Sequence, residues 1–137
     1  YKEGKFNTAI NEYEKAIQTL QGVFSPSTDL IKFSLIKTFL QTNNSVNLNK
    51  SMILLEELLL NNPNWSYLWR LLAVASGRLE KKGIAYIAMA EEALIKKNFI
   101  KAKKYVDLAN KQSSLPVSYK LRGSDILNRI KLKYNKK

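Results

Sequence analysis

The chain of 137 residues contains no cysteine and no histidine. Without cysteine there is no disulfide scaffold and no thiolate metal site. Without histidine the commonest general base, the base of a catalytic triad and the usual zinc ligand are missing together. A His-Glu-x-x-His zinc-protease site cannot be built from this sequence. No Gly-rich phosphate loop and no metal-ligand cluster is visible either, so the expectation is no catalytic residue, no bound metal and no cofactor in this chain. Proline and glycine are scarce, at three and five residues, which lets helices run long between few breaks. No stretch reaches the roughly 18 to 20 uninterrupted apolar residues of a membrane span. The run from Met52 to Leu60 is short and carries Glu56 and Glu57. No signal-peptide pattern is present.

What is there points to a folded, all-α protein. Hydrophobic residues make up 45% of the chain, too many for a disordered segment. The net charge of +12 is unevenly spread. Residues 1–65 hold six basic and six acidic side chains, whereas residues 66–137 hold seventeen basic and five acidic ones. Such a basic half suits nucleic acid, an anionic membrane surface or an acidic partner. It also suits a merely solvated lysine face. Only four of the 23 basic residues are arginine, and nucleic-acid sites lean on arginine for bidentate and stacking contacts. The solvated face is therefore preferred, and no nucleic acid is expected as a partner.

Apolar residues recur at steps of three and four throughout, and no segment alternates as a strand would. Phe6, Ala9, Ile10, Tyr13, Ala16, Ile17 and Leu20 make one stripe, with Gly22 placed to cap it. Ser25-Pro26-Ser27 predicts a turn, and Ser27 or Thr28 a cap for a second helix with Leu30, Ile31, Phe33, Leu35, Ile36, Phe39 and Leu40 on a broad buried face. Thr42 to Ser45 reads as a loop. A third helix spans Leu48 to Leu60. Ser66 is placed to cap a fourth, with Leu68, Trp69, Leu71, Leu72 and Val74 inside. Gly83 is expected to break the chain before a fifth helix, Ile84 to Ile95. A sixth starts at Phe99, and a last one runs from Val117 to Tyr134, with Val117, Leu121, Ile126, Ile130 and Tyr134 expected on one side. Trp65 and Trp69, four apart, are expected to pack in the core rather than stack on a ligand.

One pattern occurs three times. Gly4-Lys5-Phe6 leads to Ala9, Tyr13 and Ala16; Asn47-Leu48 leads to Ser51, Leu55 and Leu58; Asn98-Phe99 leads to Ala102, Val106 and Ala109. A large residue after a short turn is followed by a small one three later and a large one four beyond that. The small residue lets two helices approach closely and the large ones fill the gap. Such a pair cannot bury its face alone, so neighbours must stack.

This pattern resembles the tetratricopeptide repeat (TPR) family. The segment YKEGKFNTAINEYEKAIQ is similar to the end of a TPR first helix, its turn and its second helix. NKSMILLEELLLNNPN is similar to a second helix with its terminal proline, with Ser51 and Leu58 at positions usually held by alanine. AYIAMAEEALIKKNFIKAKKYVDLANKQ is similar to a whole repeat, with Lys97 at the usual turn glycine. The resemblance implies a single TPR-like α-solenoid over 1–137, of about seven helices in antiparallel pairs with a C-terminal capping helix. It also implies truncation at the N-terminus, because the first copy starts in mid-pattern.

The stretch from Trp65 to Leu127 further resembles the C-terminal TPR region of bacterial zinc metalloproteases of the β-barrel-assembly-enhancing kind. It does so through Trp69-Arg70-Leu71-Leu72-Ala73, Gly77-Arg78, Gly83, Ala90-Glu91-Glu92-Ala93 and Arg122 with Asp125-Ile126-Leu127. That resemblance implies a non-catalytic partner-binding domain of a periplasmic protease, engaging polypeptides such as its own protease domain and outer-membrane barrel proteins. A cytoplasmic location stays open. In TPR domains the first helices line a concave groove. The matching positions are Tyr67, Arg70, Val74, Gly77 and Arg78 on the fourth helix, and Ile31, Ser34, Thr38, Gln41 and Thr42 on the second. Arg70 and Arg78 lie roughly on one face, placed to hold acidic groups or a C-terminal carboxylate unless they are ordinary surface residues. The basic last helix is expected to cap the solenoid with a polar outer face, with anionic lipid as its alternative partner.

Overall fold

A computed structural model describes residues 2–19 and 26–135, which form seven α-helices and no strand. The helices divide between two compact units, 1–62 and 63–137. The first unit contains α1 (Lys2–Thr19), α2 (Pro26–Thr42) and α3 (Ser45–Asn61). The second contains α4 (Ser66–Arg78), α5 (Lys82–Ile95), α6 (Phe99–Asn110) and α7 (Val117–Asn135). No helix among the described residues is long and apolar enough to cross a membrane.

In the first unit α2 packs against both α1 and α3. Ile10, Leu35 and Phe39 form a buried cluster with Tyr13, Ile17 and Leu54 against it. Leu30, expected in the buried face of α2, is instead exposed, because the broad apolar stripe exceeds what one flanking pair of helices can cover. Ser51 is fully buried at its small-residue position, and its hydroxyl donates back to the Leu48 carbonyl at 2.7 Å, so no polar atom is stranded there.

In the second unit α4 packs on α5 and α5 on α6, through connections of three residues each, which makes antiparallel hairpins. α7 lies against both α5 and α6. Ala88, Ala90, Ala102 and Ala109 are buried at these contacts beside Ile87, Val106 and Ile126. The alternation of small and large residues read from the third repeat copy thus appears as packing.

Helix ends depart from expectation in instructive ways. α1 is helical through Gly4 and Lys5, so the turn expected there is absent, and Asn47 likewise lies inside α3. The turn before α3 is Asn43-Asn44, with Asn43 left-handed at φ 50°. Asn44 caps α3 by accepting from the Val46 and Asn47 amides. Pro26 occupies the first helical position of α2, where its missing N–H costs nothing. The expected cap at Gly22 lies outside the described residues. Ser66 is the first residue of α4 rather than its cap, which is Trp65, whose side chain makes no capping hydrogen bond.

Gly83 does not break the chain either. It is buried inside α5, where an added Cβ would sit 2.8 Å from Leu115 Cδ1, so glycine here serves the close approach of Leu115 rather than a turn. The break falls at Glu80, left-handed at φ 61°. The Lys81 amide donates to the Ser76 carbonyl at 2.8 Å and the Glu80 amide to Gly77 at 3.0 Å, a Schellman cap. Lys97 repeats the arrangement at φ 62°, with Asn98 donating to Ala93 and Lys97 to Leu94.

Candidate functional site

The fourth helix has two faces of different chemistry. Leu68, Trp69, Leu71, Leu72 and Ala75 are buried. Trp69 is fixed by its indole N–H, which donates to the Pro63 carbonyl at 2.9 Å. Tyr67, Arg70, Val74, Gly77 and Arg78 fall on the opposite side at steps of three and four, and all five are exposed. Val74, expected inside as well as on the groove face, is outward at 37% exposure, and Tyr67 is at 41%. An added Cβ on Gly77 would meet nothing within 4 Å, so this side of α4 is open at that turn. Arg70 and Arg78 share it.

Arg70 is oriented by its neighbours. Its Nε donates to Glu92 Oε2 on α5 at 2.8 Å, and Lys96 Nζ approaches the same oxygen at 3.4 Å. These groups open onto a polar cleft of about 230 Å³ whose wall continues through Asn98, Lys101 and Tyr105. Asn98 caps α6 by accepting from the Lys101 amide at 3.2 Å. The Lys101 ammonium lies 5.9 Å from the Tyr105 ring centre, and Tyr105 stacks on Tyr86. Three cations against one carboxylate leave the cleft positive, which favours acidic groups on a partner.

About 100° round α5 from Glu92, Glu91 is buried and reaches α7. Arg122 Nη1 donates to Glu91 Oε2 at 3.2 Å, while the Arg122 guanidinium lies 4.9 Å from the Trp69 ring centre. One arginine therefore ties α4, α5 and α7 together through a charge pair and a cation–π contact. The second oxygen, Glu91 Oε1, has no protein partner. Burial pushes the Glu91 carboxyl above its ordinary value of 4.5, with Arg122 and Arg129 opposing that rise and Asp125 adding to it.

Ser34, Thr38 and Gln41, the groove positions expected on α2, belong to the first unit. Gln41 is exposed and the other two are half-buried. The Thr38 hydroxyl donates to the Ser34 carbonyl at 2.9 Å, so both are engaged within their own helix. An apolar groove of about 310 Å³ in this unit is lined by Ile17, Leu35, Phe39, Lys50, Ile53 and Leu54. It falls beside a different strip of α2 from the expected one. A 3.6-residue period marks α2 as amphipathic but does not say which flank of a wide apolar face is left uncovered.

Glu91, Glu92, Lys101 and Tyr105 had no signal as single residues. The adjacent pair Glu91-Glu92 inside an alanine-rich helix was the available clue, since neighbours 100° apart on a helix must serve different surroundings. Among the described residues no group of three acidic side chains is arranged to hold a metal ion. No family model, no curated protein and no solved structure matches this chain.

Proposed function

We propose that this chain is a non-catalytic protein-interaction scaffold of the TPR type, in which helix hairpins stack as repeats and the outward side of α4 grips a polypeptide partner. The observation that carries the proposal is the open strip of Tyr67, Arg70, Val74 and Arg78, two apolar-bodied and two cationic residues beside a positive cleft. Antiparallel pairing of α4 with α5 and α5 with α6, and alanines at the close contacts, support the repeat assignment. Such a strip suits an extended segment that alternates apolar with acidic groups or ends in a carboxylate.

The sequence resemblance to β-barrel-assembly-enhancing metalloproteases supplies the rest of the proposal. The chain would be the C-terminal part of a periplasmic zinc-dependent protease in outer-membrane protein quality control, with barrel proteins and the protease domain as partners. A photo-crosslinking residue at Tyr67 or Val74, incubated with an unfolded outer-membrane barrel protein, tests this. Adducts at both positions, and none from the same probe at Asn49 on α3, are the expected result. Equal labelling at all three positions would reject α4 as the partner-binding side.

A further inference from the structure

We propose that the outer side of α7 is a docking surface for an anionic lipid bilayer. This proposal is independent of peptide binding, because it shares no residue with the exposed side of α4. Val117 and Leu121 do not lie with Ile126 and Ile130, because the step of five between Leu121 and Ile126 turns the helix by about 140°. Tyr119, Ile126 and Ile130 are buried, whereas Val117, Leu121 and Leu132 are 70%, 66% and 64% exposed. These three aliphatics fall within about 60° of one another, diametrically opposite the buried side. A cap would carry a wholly polar outer face there; this helix sets a valine and two leucines among the exposed Ser124, Asp125 and Asn128.

The charges decide what fits. α7 has five basic residues and one acid, Asp125, which pairs with Arg129 at 3.0 Å. Lys120 and Lys131 flank the aliphatic strip on one side. On the other stand Asp125 and its partner Arg129, with Lys133 further round toward the buried side. Aliphatics beside a row of lysines match an interface where acyl chains lie beneath anionic headgroups and lysines extend to the phosphates. A second copy of this chain would set one cationic helix against another. Nucleic acid would gain nothing from exposed leucines and would call for stacking aromatics, and the Tyr134 ring already meets Phe99 edge-on.

The full chain is co-sedimented with vesicles of pure phosphatidylcholine and with vesicles containing about 30% phosphatidylglycerol, at about 0.15 M salt. Partitioning at least about tenfold stronger onto the anionic vesicles is expected. Lys120→Glu with Lys131→Glu and Lys133→Glu should weaken it about a hundredfold. Leu121→Asp with Leu132→Asp should weaken it about tenfold while helicity and melting stay unchanged. Equal partitioning onto both vesicles overturns the proposal. So does full binding by the leucine variant, which would mean adsorption by charge alone, or tighter binding to a single-stranded RNA oligonucleotide than to the anionic vesicles.

Discussion

Glu91 shows how one side chain sets a measurable property. Its carboxyl holds a proton to higher pH in the folded chain than its ordinary value of 4.5, because burial disfavours the charge more than Arg122 restores it. Between those two values the folded state binds more protons than the unfolded one, so this site's contribution to stability rises as pH falls through the window. The cost of burying the charge is present in full above it. Glu91→Gln removes this dependence. Urea denaturation of parent and variant from neutral pH down to 4.5 should show the difference in unfolding free energy moving in the parent's favour as pH falls. Glu80 and Lys97 carry a different cost, that of a left-handed backbone without glycine. Glu80→Gly and Lys97→Gly should each stabilise the second unit by about 0.5–1 kcal/mol, the relief of αL strain less the extra freedom of glycine in the unfolded chain.

At the scale of the element, small residues govern how closely helices approach. Ala102 on α6 is fully buried, and Gly123 on α7 would place a Cβ 3.1 Å from Ile87 Cδ1 and 3.3 Å from Val106 Cγ1. Ala102→Leu is expected to cost about 1–3 kcal/mol by overpacking, read as a lower denaturation midpoint. The seven helices were legible because period and breakers agree over most of the chain. Their ends were not. Gly83 and Gly4 looked like punctuation, yet both lie within helices, and the left-handed positions went to Asn43, Glu80 and Lys97. A glycine needed for close packing and one needed for a turn look alike in one sequence. On α4 the positions of the exposed strip came from the resemblance to TPR domains, whereas the apolar spacing alone put Val74 inside. The cleft beside it was not legible, because Glu92, Lys101 and Tyr105 come together only when α5 and α6 fold onto α4.

At the scale of the whole molecule the charge is partitioned between the units. Residues 1–62 are neutral in sum and residues 63–137 carry the full +12. Self-repulsion therefore burdens the second unit alone, and salt should relieve it. Both tryptophans, Trp65 and Trp69, lie in that unit, so their fluorescence reports on it. Its thermal midpoint should rise by a few degrees between low salt and about 0.5 M sodium chloride, and an unchanged midpoint would show that the cations are already neutralised within the fold.

A polypeptide held on the outward side of α4 must lose affinity when that side is altered. The dissociation constant for an unfolded outer-membrane barrel protein is to be measured by titration for the parent chain and for Val74→Asp with Arg78→Glu. Both positions are exposed and Arg78 stands in the last turn of α4, so melting should fall by at most a few degrees. A weakening of about tenfold or more is predicted for the double variant. Binding of equal strength by both chains would contradict the assignment of α4 as the gripping helix.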